Sequence, residues 1–335
     1  VRLVTFSTDH GTHLGALVAG QVIDLPGTYA AWQRTHVRSS ALFSDSQSFP
    51  TSMLHFLQAD EATREVVDHV LAFAADPNIR ADLADADLAF PVDHVTFLPP
   101  IPRPGKIVCL GHNYRRHIAE MGSPLPQYPV LFARFATTLI GHRQPIVLPK
   151  VSNQVDYETE LALVIGRTGK DIPKTQAAFD YLAGYTIFND VSVRDYQRRT
   201  VQWMQGKNFD GTGPIGPALV TADEVRDPHA LDITLRLNGE VMQQTNTSDF
   251  IFDIPTMLSY ISEIMTLEPG DIIATGTPSG VGYARSPQVF LKPGDVVQIE
   301  IAELGMLENS VIAPQGAGGA SGPQRTASFD EVTHG

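Results

Sequence analysis

The chain has 335 residues, 43% of them hydrophobic, and a formal net charge of −13. That length supports one large domain or two of ordinary size, and the acidic balance argues against the clustered Lys and Arg of a nucleic-acid footprint. No apolar run reaches the roughly 18 to 20 residues of a membrane span, and Val1-Arg2-Leu3-Val4 lacks the residue order of a secretory leader. The one cysteine, Cys109, lies in the apolar run Ile107-Val108-Cys109-Leu110 and reads as a buried, inert thiol in a reducing cytoplasm.

In chain order, Leu14 to Val18 and Gln21 to Leu25 flank Ala19-Gly20 and predict a hairpin after a first strand. A Ser-rich stretch near 39–52 reads as irregular. Met53, Leu54, Phe56 and Leu57, then Val66, Val67, Val70, Leu71 and Ala74, follow helical spacing, and Asp76-Pro77 is expected to end that helix. Pro99-Pro100-Ile101-Pro102-Arg103-Pro104-Gly105 makes a stiff connector. Beyond it come short β-rich runs: Lys106 to Leu110, Leu161 to Ile165, Tyr185 to Asn189, Ile233 to Leu237, Asp271 to Ala274 and Val296 to Ile301. Helical segments are expected around 174–182 and 253–265. Strands and helices do not alternate, which argues against a doubly wound parallel sheet and for a β-rich α+β fold. The expected division is a small N-terminal α+β domain at 1–98, the connector at 99–105, a catalytic domain at 106–312 and a disordered tail at 313–335.

Four constellations carry chemistry. In Asp156-Tyr157-Glu158-Thr159-Glu160, the two glutamates are two residues apart and share one face of a strand. Asp190 ends a second apolar run. Anions that close repel unless a proton or cation intervenes, and an all-oxygen set suits Mg²⁺, Mn²⁺ or Ca²⁺. The alternative is an ordinary solvent-facing strand edge, with Asp190 as a cap or turn residue. In Gly111-His112-Asn113-Tyr114-Arg115-Arg116-His117-Ile118-Ala119-Glu120-Met121-Gly122, His117 and Glu120 are i and i+3 on a short helix. The carboxylate can orient the imidazole and raise its basicity, although a plain surface pair has the same spacing; His112 is a further candidate. A helix beginning near Asp190 would bring Arg194 and Gln197 towards a substrate carboxylate or carbonyl, and a partly buried Lys207 suits an oxyanion. The loop Thr275-Gly276-Thr277-Pro278-Ser279-Gly280-Val281-Gly282 offers backbone N–H groups and the Thr277 hydroxyl, without the spacing of a P-loop or a dinucleotide fingerprint.

Taken together and in this order, these segments resemble the fumarylacetoacetate hydrolase family, in its acylpyruvase and 2-hydroxyhepta-2,4-diene-1,7-dioate isomerase-like branch. The resemblance covers about 105–312. It implies a mixed β-sandwich roll, a homodimer, and Mg²⁺ or Mn²⁺ on Glu158, Glu160 and Asp190, one ion per subunit. It implies a water-activating dyad of His117 and Glu120 on a lid segment. Arg194, Gln197, Lys207 and Thr277 match positions that hold the substrate and its oxyanion, and Arg134 is a candidate substrate contact where relatives often carry lysine. The leading expectation is hydrolytic C–C cleavage of an acylpyruvate or related β-diketo acid through a metal-stabilised enolate, in a pathway such as aromatic-compound breakdown. The alternatives are decarboxylation, isomerisation or tautomerisation of a 2-oxo acid such as oxaloacetate at the same site, or a non-catalytic, metal-stabilised binding protein. No nucleic-acid or membrane partner is expected.

Overall fold

Strand Thr159–Ile165 is buried at every position, which explains why its sequence is apolar throughout rather than alternating. In the computed structural model, which describes residues 1–36 and 49–314, this strand lies inside a 12-stranded mixed sheet. Leu161, Leu163 and Ile165 point into one core cluster, with Ile233, Leu235, Val297, Ile299 and Leu307 of a second, five-stranded sheet. Ala162 and Val164 point into the opposite cluster, with Met53, Phe56, Val66, Val67 and Val70 from the N-terminal helices. The period of two thus sorts one strand's side chains between a sheet and a helical layer. The β-rich, mixed-sheet α+β class expected from the sequence is the fold observed.

Strand Arg2–Thr8 pairs with Gly213–Thr221, with Leu3 opposite Leu219. The sheet therefore runs unbroken from the N-terminal strands to the catalytic ones, and the division at 99–105 falls across a continuous sheet. The expected hairpin is present: Ala19 and Gly20, with φ of 49° and 80°, join Gly11–Val18 to Gln21–Asp24 as a two-residue turn.

Other expectations need correction. The single helix over 53–74 is two, Met53–Gln58 and Glu61–Ala75, because the Asp60 carboxylate caps the second by accepting from Thr63 N at 2.9 Å. Asp76-Pro77 ends that helix and also starts another, Pro77–Asp85, with Asp76 as its N-cap and Pro77 in its first turn. The segment near 174–182 is a 3₁₀ stretch, Gln176–Tyr181, while Ile254–Ile264 is α-helical as expected. Asp190 does not open a helix. Buried Val191 and Val193 draw the chain into a short pairing of Ser192–Val193 with Val155–Asp156, and one helical turn, Arg194–Gln197, follows. The Ser-rich stretch falls largely on residues 37–48 and the tail on 315–335, outside the described residues.

Candidate active site and cation centre

Glu158 and Glu160 stand at the start of the central strand, and Asp190 follows the end of its neighbour Leu182–Asn189; Asp190 N donates to Glu158 O at 2.8 Å. Antiparallel register, with Thr159 opposite Asn189, places the three carboxylates at one end of the sheet. One oxygen from each lies within 4.8 Å of the others, and all three side chains are buried.

Three cations answer this charge. Lys207 Nζ, almost fully buried, lies 2.6 Å from Glu158 Oε2 and 2.5 Å from Asp190 Oδ2. Arg194 pairs with Glu158 Oε1 at 2.5 Å and grips Asp156 Oδ2 through Nε and Nη2 at 2.9 and 2.7 Å. Arg134 pairs with the other Asp190 oxygen and donates to Thr212 O at 2.9 Å. Burial alone would raise the pKa of Glu158, but Lys207 and Arg194 overcome it and hold the group at about 2. Among the described residues, Glu160 has no cationic partner within ion-pair distance. It accepts from Gly276 N at 2.9 Å, and burial, then the charge of Asp190, push it well above the ordinary carboxylate range. The cluster of Asp156, Glu158, Glu160 and Asp190 thus carries one carboxylate more than its cations balance. A hard divalent cation fits this donor set, since it would meet oxygen ligands only and would favour the charged form of Glu160.

His117 and Glu120 meet on one short helix. On helix Arg115–Glu120, His117 Nδ1 lies 3.2 Å from Glu120 Oε2, and Glu120 Oε1 accepts from Gly280 N at 2.9 Å. His117 Nε2 has no hydrogen-bond partner among the described residues. Asn113 anchors the base of this helix, accepting from Phe252 N at 2.8 Å and donating to Thr275 O at 2.9 Å. Thr277 Oγ1 accepts from Gln243 Nε2 at 2.9 Å, which leaves its hydroxyl proton for a ligand.

These groups surround a cavity of about 380 Å³ whose wall includes His117, Glu158, Glu160, Arg194, Lys207 and Thr277. Gln197 and His112 also reach it. Arg134 does not. Its side chain is fully buried behind Asp190, so the expected substrate contact is instead a structural ion pair. Glu120 lies behind His117 as an orienting group. Lys207, read as partly buried, is buried between two carboxylates. Sequence reasoning missed Asn113 and Gln243 as positioning residues. It also missed Asp156, whose two oxygens accept from Tyr157 N and Gly282 N at 2.8 Å and from Tyr283 N at 2.9 Å, besides Arg194. A Cβ at Gly282 would meet Val289 O at 1.8 Å, so that approach requires glycine. The sequence around Asp156 is mostly polar and gave no local sign that this carboxylate is buried and needs partners.

Residues 106–312 match the model of the fumarylacetoacetate (FAA) hydrolase C-terminal family. The chain belongs to the fumarylacetoacetate hydrolase family. It is 44% identical over 318 residues to the mitochondrial oxaloacetate tautomerase FAHD2A of Bos taurus, covering 93% of this chain and 92% of that one. Among solved structures it resembles the fumarylacetoacetate hydrolase of Exiguobacterium antarcticum, with a TM-score of 0.72 and 34% identity over 93% of this chain and 99% of the other. It also resembles the maleylpyruvate hydrolase of Sphingobium sp. SYK-6 in complex with manganese(II) and pyruvate, with a TM-score of 0.68 and 29% identity over 94% and 100% of the two chains. Family members of similar fold thus carry names of both isomerising and hydrolysing enzymes.

Proposed function

We propose that the protein interconverts the keto and enol forms of a 2-oxo acid, with oxaloacetate as substrate, at a Mg²⁺ or Mn²⁺ ion held by Glu158, Glu160 and Asp190. The observation that carries this reading is the free Nε2 of His117, on the wall of the cavity that Glu158 and Glu160 also line. With Nδ1 held by Glu120, Nε2 carries the lone pair and serves as base. When bound, the cation supplies Lewis acidity that eases negative charge at the oxo end of a 2-oxo acid. His117 takes the proton from C3 and returns it at the oxygen on C2, so the reaction neither consumes nor releases water. Lys207 has two strong bonds to carboxylates and only a long one, 3.5 Å, to Asp190 O, leaving donor capacity for an enolate oxygen. The Thr277 hydroxyl and the amide of Gln197, whose Oε1 already accepts from Arg194 Nη1 at 3.0 Å, supply further donors.

Hydrolysis of an acylpyruvate, the leading expectation from sequence, is the second reading, because the same imidazole–carboxylate pair can activate water. The tautomerase relative at 44% identity supports enolisation over the maleylpyruvate hydrolase at 29%. Aromatic-compound breakdown gains no support. The homodimer and the cytoplasmic setting remain proposals from the sequence; the tautomerase relative is named as mitochondrial.

The test is to follow decay of oxaloacetate enol absorbance with Mg²⁺ or Mn²⁺ and with EDTA. Metal-dependent acceleration, with no pyruvate formed from an acylpyruvate panel, is expected. Acylpyruvate cleavage without tautomerisation would overturn the reading in favour of hydrolysis.

A further inference from the structure

Among the described residues, three side-chain cations reach the cavity wall: Arg194, Arg198 and Lys207. Two are already committed, Arg194 to Asp156 and Glu158, and Lys207 to Glu158 and Asp190. Arg198 is different. It makes no ion pair among the described residues. Its guanidinium lies over the Tyr283 ring, 4.5 Å from the centroid. The backbone on both sides is anchored: Tyr283 N donates to Asp156 Oδ2 at 2.9 Å, and Arg198 N donates to Arg194 O at 3.1 Å at the end of the helical turn. The free cation is therefore held in place by an aromatic face and by backbone, with its N–H fork left open. The carboxylates on the same wall, Glu158 and Glu160, are taken up by the cation centre. Of the imidazoles, His112 is kept neutral at pH 7 because burial, and next the neighbouring His117, lower its pKa. A second negative charge entering this cavity meets one uncommitted fixed positive charge.

We propose that Arg198 binds the distal carboxylate of the substrate and makes the site selective for 2-oxo diacids over 2-oxo monoacids. The inference rests on the proposed function, in that the oxo-acid end is taken to sit at the cation centre. It adds what holds the other end. The geometry suits a planar carboxylate, which the guanidinium meets with two parallel N–H bonds. The side chain is exposed, so the interaction is screened by salt.

The test uses the full-length, Mn²⁺-loaded protein and 3,3-difluorooxaloacetate, which has no C3 hydrogen and cannot enolise, beside its 4-methyl ester. Calorimetric titration gives the ratio of diacid to ester affinity. Arg198→Ala is expected to lower that ratio about tenfold, the effect of losing a charge-assisted bond at an exposed site. Arg198→Lys should recover part of it, and the wild-type preference should shrink as salt is added. In turnover with oxaloacetate, the alanine variant should raise KM more than it lowers kcat. An unchanged affinity ratio in Arg198→Ala overturns the inference. If the variant shifts the ratio while the wild type fails to tautomerise oxaloacetate, the proposed function falls and the role of Arg198 stands. If the wild type binds neither compound, both fall.

Discussion

Arg194 donates twice to a single oxygen of Asp156, from Nε at 2.9 Å and from Nη2 at 2.7 Å. Asp156 is fully buried and its other oxygen accepts from two backbone amides, so every lone pair faces a donor. This pair holds Arg194 against Glu158 and fastens the Gly282–Tyr283 backbone beneath the cavity.

Asp156→Asn would place an amide NH₂ against N–H donors and leave Arg194 without its main counter-charge. Breaking a buried pair from one side costs about 3 to 5 kcal/mol. The expected outcome is a lowered urea midpoint with an unchanged m-value. A midpoint equal to the wild type would mean that the pair contributes little.

Glu160→Gln separates the cation centre from the fold. The amide oxygen can still accept from Gly276 N, while the cluster loses the carboxylate that has no cationic partner among the described residues. Apo stability should stay level or rise, since a buried carboxyl whose ionisation is disfavoured is gone, and Mn²⁺ affinity should fall at least tenfold. Metal titration beside a melt of the metal-free protein reads both. A large loss of apo stability with metal affinity intact would assign Glu160 a structural role instead.

How much of this was legible in the chain depends on where a residue's partners lie. Glu158 and Glu160 could be paired because they are two apart on a strand, and His117 and Glu120 because they are three apart on a helix. Asp156 could not, because its amide donors Gly282 and Tyr283 lie 126 and 127 residues away. Arg134 looked like a substrate contact because the resemblance places it where relatives often carry lysine, yet its partner Asp190 is 56 residues on. The same limit hid the joining of the N-terminal strands to the catalytic sheet through Leu3 and Leu219. Local periodicity reports which face a residue takes. It does not report what faces it.

His117→Gln should lower kcat for enolisation by about 10² to 10⁴, the range for a positioned proton-transfer group. Glu120→Gln should cost less, on the order of tenfold, because the imidazole keeps its place and loses only a charged neighbour. Stopped-flow enol decay measures both. A His117→Gln enzyme at wild-type rate would remove the imidazole from the mechanism.

A stability change with pH is expected from His142, which does not line the cavity. Its Nδ1 accepts from Glu308 N at 3.1 Å, which requires the neutral ring at that nitrogen. Burial, and next the charge of Arg143, lower its pKa to about 4. The unfolded chain takes up a proton near the usual 6.5 while the folded one does not, so the folded state loses ground as pH falls from about 6.5 towards 4 and is unaffected above that window. The ring is partly open to solvent, which reduces the effect to on the order of 1 kcal/mol. His142→Gln keeps an acceptor for Glu308 N and removes the titration. The drop in melting temperature between pH 7 and pH 4.5 should therefore be smaller in the variant than in the wild type, with the carboxylates common to both cancelling in the difference. Equal drops would show that His142 does not titrate differently in the two states.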